Sequence, residues 1–294
     1  TETRKQKAMN INMDAVNAMC ATACGGGGEG NQAEMDFKAE YGRDIDLLTQ
    51  ILAQSQSEHT LVTACSNIVL WWKTNIKTMQ ANDYNMCFQN VLEAAKVTVF
   101  NADTPRWLRE TIILTLTKVT KLTFQDEQGC TLLLDDAMDI VSAAVGNNEL
   151  MDGNNGELAY GFNALVSIVK TFNLYDGKVA QTYMNFAVHR RCSNNFRDMN
   201  LLNIFTLVTQ HLSNVSNNDS PFAYEIVQLA KEILTYDFMA IMVDETEEAL
   251  STQFPASWKE ALFDMDLLDM LWKQLKFLQG DLAIMMMAAM GGVC

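Results

Sequence analysis

Proline is nearly missing from this chain of 294 residues, which has three. Long uninterrupted helices are therefore permitted almost everywhere. Histidine is equally scarce, with His59, His189 and His211 alone, and none of them falls in an HExxH run or beside a GxSxG serine. Base-assisted nucleophilic catalysis has no visible framework, and each histidine is expected at a helix end or on the surface. No CxxC pair occurs among the seven cysteines, an odd number scattered over apolar helical positions, which suits a reducing compartment. Basic residues are in deficit, 21 against 36 acidic, for a net charge of -15. A nucleic-acid backbone or an anionic membrane is repelled on average, and a basic protein partner is the natural complement. No apolar run approaches the roughly 20 residues a membrane span requires. The longest, Leu282 to Met290, reads as the interior of a helix that follows Gly280-Asp281.

What is present is apolar periodicity of the helical kind. Leu61, Val62, Cys65, Ile68, Val69 and Trp72 recur at spacings of three and four and share one helix face. Asp103-Thr104-Pro105 supplies an N-cap candidate and a first-turn proline, and Leu108, Ile112, Leu116 and Val119 continue the period. The same pattern predicts helices over 44–53, 82–100, 131–145, 155–174, 199–212, 222–236 and 266–278, and no stretch alternates as a strand does. Short polar turns join them into hairpins, 44–53 with 59–76, 82–100 with 105–122, 131–145 with 155–174, 199–212 with 222–236, and 266–278 with 281–291. Hairpins start roughly 40 residues apart, with a longer interval near 178–198, a period belonging to HEAT or armadillo arrays. The expected fold is all-α, a right-handed α-solenoid of HEAT-type antiparallel hairpins, five to six of them in one continuous segment over 1–294. A loop is expected at 24–38 and an acidic insertion at 239–254. Because the last helix shows no polar outer face, the segment is expected to be part of a longer superhelix.

Several constellations have plain structural readings. Gly25 to Gly30 formally satisfies GxGxxG, but a helix over 5–23 precedes it where a nucleotide site needs a strand, so it reads as a linker. Cys20 and Cys24 are one helical turn apart yet lack further ligands for zinc, and buried thiols are the simpler reading. Asp135, Asp136 and Asp139 form a solvated edge. Trp72 continues the core stripe, whereas neighbouring Trp71 leaves it and is partly exposed. The run Asp244-Glu245-Thr246-Glu247-Glu248 serves equally as a solvated loop or as a contact for a basic partner. No catalytic residue, metal ligand or cofactor site is assigned, and the chain is not expected to be an enzyme.

The run Ser-Asn-Asn-Phe-Arg-Asp-Met-Asn-Leu-Leu-Asn-Ile-Phe-Thr-Leu over 193–207 resembles the exportin-7 family of nuclear transport receptors, within the importin-β superfamily. Phe196-Arg197-Asp198 and Ile204-Phe205-Thr206-Leu207 carry the likeness. It continues through Tyr236-Asp237-Phe238, the acidic insertion, Pro255-Ala256-Ser257-Trp258 and Ala261-Leu262-Phe263 in the same order. Upstream, 61–70, 107–122 and 160–172 are similar to that family's early second helices by pattern. The resemblance implies a superhelix that binds Ran-GTP, protein cargo and phenylalanine-glycine nucleoporins and moves between cytoplasm and nucleus through the nuclear pore. It implies no cofactor and no direct contact with nucleic acid or membrane. It also implies that Thr1 lies in the second helix of a first repeat. On a concave face of second helices, the polar residues off the apolar stripe, Asn67, Lys73, Arg109 and Asn163, become partner-contact candidates. The alternative is a HEAT-repeat scaffold subunit of a larger assembly without a Ran cycle.

Overall fold

The structure, a computed structural model, describes residues 11–125, 129–147, 151, 155–173, 184–215, 219–238, 254–262 and 265–293. The chain divides into two compact units, the first from Thr1–Thr78 and Met86–Thr115, the second from Met79–Asn85 and Leu116–Cys294. Both are all-α, and no strand occurs among the described residues. No helix among them is long and apolar enough to cross a membrane.

In the first unit α1 (Met13–Cys24) pairs with α2 (Gly27–Glu40), and α3 (Ile45–Gln54) pairs with α4 (Glu58–Asn75). Side-chain caps set the starts. Asp44 accepts from the Asp46 and Leu47 amides, and Ser57 accepts from the Thr60 amide, satisfying donors that a helix leaves open at its first turn. The loop expected at 24–38 is absent, because Gly27–Glu40 is helical. Within the run Gly25 to Gly30, Gly26 and Gly27, with φ of 68° and 75°, use the freedom of glycine to turn the chain. Gly30, Ala33 and Phe37 then repeat at helical spacing and are buried. A Cβ on Gly30 would stand 3.1 Å from the Ala23 carbonyl oxygen, so this glycine allows α2 to lie close against α1.

α4 packs against both α1 and α3. That two-sided contact buries Thr60 and Asn67 together with the apolar stripe Leu61, Ala64, Cys65, Ile68 and Trp72. Between the hairpins, Asn17 of α1 accepts hydrogen bonds from Ser55 and Thr60 at 3.1 and 2.8 Å. Two further helices follow, α5 (Ala81–Val99) and α6 (Arg106–Thr123), both spanning the boundary between the units. In the first unit, Phe88 of α5 meets Trp72 edge-on at 6.1 Å, and Thr98 donates to the Leu52 carbonyl at 3.1 Å. Trp72 is fully buried and Trp71 half-buried, as the stripe predicts.

The second unit contains α7 (Leu132–Ala143), α8 (Gly156–Asn173), α9 (Phe186–Phe196), α10 (Leu202–Leu212), α11 (Ala223–Leu234), the short α12 (Lys259–Leu262), α13 (Met265–Leu275) and α14 (Gly280–Val293). The predicted hairpins α7 with α8, α10 with α11 and α13 with α14 form, and α11 packs on both α8 and α14. The helix predicted over 199–212 begins much earlier. α9 runs through a π turn, Arg197–Leu201, directly into α10. Residues 239–253, with the acidic run Asp244–Glu248, lie outside the described residues. So do 1–10, the first part of the helix predicted over 5–23.

The α7–α8 crossing is tight. A Cβ at Gly161 would stand 2.9 Å from Val141 Cγ2 and 3.1 Å from Ile140 Cγ2, closer than packed carbons tolerate. Gly161→Ala is therefore expected to cost about 1–3 kcal/mol by overpacking. A fall in the urea midpoint checks this, and an unchanged midpoint would show that the two helices separate freely.

Candidate protein-binding residues and the signature latch

The four contact candidates are divided between the two units. Lys73 and Arg109 belong to the first unit and Asn163 to the second. Lys73 is exposed in the last turn of α4, where a cation also suits the helix dipole. Arg109 on α6 and Asn163 on α8 are half-buried. Asn67 has to be withdrawn as a surface contact, since only 4% of it is exposed. Its amide donates back to the Thr63 carbonyl at 2.8 Å, and its Oδ1 fills the space left by the missing side chain of Gly42. The physical reason is the packing of α4 on two sides, which makes positions beside the apolar stripe core positions as well.

The residues that carry the recognisable stretch come together within the second unit, where they build an interior latch. Arg197, in the first position of the π turn, donates from Nη1 to the Phe238 carbonyl and, at 3.2 Å, to Asn194 Oδ1. Its other nitrogens hold the exposed Asp198 carboxylate at 2.7 and 3.0 Å. Tyr236 donates to the Ser193 carbonyl at 3.1 Å, and the Asp237 amide donates to Asn173 at 2.7 Å. The π turn inserts extra backbone between α9 and α10 and so aims Arg197 at the strap 236–238. Phe196 stacks on Phe172 at 4.2 Å and lies 6.1 Å from Phe124, while Phe238 and Phe205 enclose Trp258 at 5.0 and 5.4 Å.

Polar groups beneath the aromatics close the C-terminal ends of two helices. Lys121 of α6 donates to the Thr171 carbonyl near the end of α8, and Ser193 donates to the next carbonyl, that of Phe172. Asn195 donates to the Phe124 carbonyl just past α6 at 3.0 Å. These are carbonyls that a helix cannot satisfy internally. Lys121 Nζ also shares a hydrogen bond with Nδ1 of His189 at 2.7 Å, and the other ring nitrogen, Nε2, faces Ser193 Oγ at 3.5 Å. Both ionisable groups are pushed toward their neutral forms. Burial brings the Lys121 amine down to about 7. Burial, followed by the lysine's own charge, takes His189 down to about 3. Burial raises the Tyr236 phenol.

Each histidine stands in a terminal turn of its helix, as expected, His59 in the first turn of α4, His189 in the first turn of α9 and His211 in the last turn of α10. His59 is exposed, but His189 and His211 are buried. His211 donates from Nε2 to the Val141 carbonyl at 2.9 Å, closing the end of α7, and burial lowers its pKa. Both histidines act as fixed hydrogen-bond groups within the helix packing. The Lys121, His189 and Ser193 side chains are 4% exposed or less, so no reactant reaches them. Cys20 is buried, with burial raising its thiol pKa, and Cys24 is exposed. Among the described residues no group of three or more metal-ligating side chains comes together. Asp135 and Asp139 are exposed on α7, as the solvated-edge reading requires, and Asp136 accepts from Tyr160 at 3.0 Å.

No protein-family model matches the chain, and no solved structure does. Curated proteins do. Over 119 residues the chain is 27% identical to Exportin-7 of Dictyostelium discoideum, a stretch that makes up 38% of this chain and 11% of that protein. Over 91 residues it is 30% identical to Exportin-7-B of Xenopus laevis, covering 28% of this chain and 8% of that protein, and Exportin-7-A of the same organism matches equally. The chain matches about a tenth of the length of these relatives. In part of its length, therefore, this all-α chain is similar to exportin-7 proteins.

Proposed function

We propose that this chain works as a section of an exportin-like nuclear transport receptor, binding Ran-GTP and protein cargo and shuttling between nucleus and cytoplasm past phenylalanine-glycine nucleoporins. The supporting observation is the partial similarity to exportin-7 proteins, joined to an all-α fold of stacked hairpins. In this reading the hairpins continue one right-handed HEAT superhelix that extends beyond these residues. The net charge of -15 favours basic partner surfaces, speeds encounter with them and makes the association weaken with salt.

Lys73, Arg109 and Asn163 are the partner-contact residues in this proposal. Immobilised Ran charged with GTP is expected to retain the chain, and Ran charged with GDP to release it. Exposed or half-exposed polar contacts contribute modestly. Lys73→Glu combined with Arg109→Glu should therefore weaken retention by roughly tenfold, about 1.4 kcal/mol, without lowering stability. Equal or absent retention by both nucleotide forms would remove the transport reading. Stable co-purification in one stoichiometric complex, indifferent to nucleotide, would replace it with a scaffold subunit.

A further inference from the structure

The middle of the second unit carries a charge opposite in sign to that of the whole chain. α9 contains two arginines, Arg190 and Arg191, and no acid. Over 186–201, α9 and the π turn together hold three arginines and one aspartate, in a chain of 21 basic and 36 acidic residues. The packing around α9 adds to this excess. Lys121 bonds to the Thr171 carbonyl and to His189, Tyr236 to the Ser193 carbonyl, and Arg197 to the Phe238 carbonyl, which gathers the ends of α6, α8 and α11 about α9. Six cations meet there, Lys121, Lys170, Arg190, Arg191, Arg197 and Lys231, against the acids Asp198, Glu232 and Asp237.

Each of those acids is already engaged. Arg197 holds Asp198 through two of its nitrogens at 2.7 and 3.0 Å. Glu232, buried in the last turn of α11, lies 3.8 Å from Lys170 and 3.3 Å from Lys231, so one carboxylate serves two partly exposed ammonium groups. Asp237 on the strap is not free either. Arg190 and Arg191 are exposed, and among the described residues neither has an ion pair or a hydrogen bond. Helices of the same unit stand before and after α9 in the chain, α8 packed on it and α10 continuous with it. Its exposed row is therefore not a terminal face on which a further hairpin would stack.

We propose that Arg190 and Arg191 form a docking point for an acidic stretch of a partner protein, whose aspartate or glutamate carboxylates they hold as Arg197 holds Asp198. The guanidinium fork presents paired N–H donors that match the two oxygens of a carboxylate. The third arginine of the same stretch shows that geometry, and its two neighbours have no acid to complete it. A short acidic segment suits the row better than a nucleic acid or an anionic membrane does. An extended polyanion meets the repulsion of the whole net charge of -15 along with the attraction of two side chains. The row thus selects by local charge and takes a partner of the sign opposite to the one the net charge favours elsewhere. It does not depend on the transport reading.

The test titrates the whole chain into a labelled glutamate-rich peptide and into its glutamine counterpart, followed by fluorescence anisotropy. The glutamate peptide is expected to bind and the glutamine peptide to stay free. Arg190→Glu with Arg191→Glu should weaken binding about tenfold or more. Arg190→Lys with Arg191→Lys keeps the charge and loses the fork, and should weaken it by about threefold. Lys273→Glu with Lys276→Glu, equally exposed but on α13 and the link after it, should leave binding unchanged. Because Arg190 and Arg191 are exposed, the melting temperature of their variants should match the parent, and glutamine at both positions gives the same readout if charge reversal lowers it. Equal binding of the two peptides overturns the proposal, as does glutamate-peptide binding that ignores the reversal of Arg190 and Arg191. So does tighter binding of a single-stranded oligonucleotide or of phosphatidylserine vesicles that the same reversal abolishes, since the row would then serve another class of partner.

Discussion

Replacing Lys121 with methionine is expected to cost about 3 kcal/mol more near pH 9.5 than near pH 6, because the ammonium loses its solvation in the fold and the neutral amine does not. The side chain is buried among the Thr171 carbonyl, the Phe172 ring, His189 and Cys192. Burial lowers its pKa from 10.5 to about 7, and a Cys192 thiolate would only partly oppose that. The unfolded chain therefore binds more protons than the folded one between those two values, and stability rises with pH through that window. Below pH 7 both states carry the proton, and the penalty is constant. His189, held down at about 3, adds a second loss as pH falls from its ordinary value toward that figure. Methionine fills similar volume and cannot titrate, so its variant lacks the upper slope. At acidic pH it escapes the cost of the buried charge, and at alkaline pH it shows only the loss of the hydrogen bonds to Thr171 and His189. Urea unfolding of both proteins at the two pH values measures the difference. Parallel profiles would mean that Lys121 reaches solvent.

Phe196→Ala is expected to be the most damaging single change in the recognisable stretch, at about 3–5 kcal/mol. The ring is fully buried, stacked on Phe172 and near Phe124, and its removal leaves a cavity directly beneath the π turn. Two neighbours calibrate the effect. Arg197→Met strands the Phe238 carbonyl and should cost about 1–3 kcal/mol. Asp198→Ala touches an exposed carboxylate and should fall within about 0.5 kcal/mol. That descending order is what a latch produces. If Phe196→Ala left the urea midpoint unchanged while weakening a partner, the stretch would be a binding motif and not architecture.

Much of the fold was legible because amphipathic helices write their period into the sequence, as Leu108, Ile112, Leu116 and Val119 do on α6. Three features were not. α2 was hidden by its own glycines, since Gly27 to Gly30 argue for a linker even though Ala33 and Phe37 supply the helical spacing. The π turn has no composition of its own, so α9 and α10 read as a gap followed by a later start. Lys121, polar by type, betrays nothing of its burial. Its position is decided by helices distant in sequence that surround the end of α6 with Thr171 and His189. Phe222 is a further case, a bulky residue at φ 56° ahead of α11, with its ring 5.6 Å from that of Phe162. A partner-contact candidate was misplaced for a related reason. Asn67 looked like a surface residue because periodicity identifies one buried face and gives no sign that a second neighbour covers the flank.

The recognisable stretch builds the fold while other surfaces bind, and hydrogen exchange of the whole chain alone, with Ran-GDP and with Ran-GTP tests that separation directly. Amides of 193–201 and 236–238 are expected to be strongly protected in the free chain and unchanged by either form of Ran. Peptides carrying Lys73, Arg109 and Asn163 should gain protection with the GTP form alone. New protection concentrated on 193–201, or none anywhere with Ran-GTP, would contradict it.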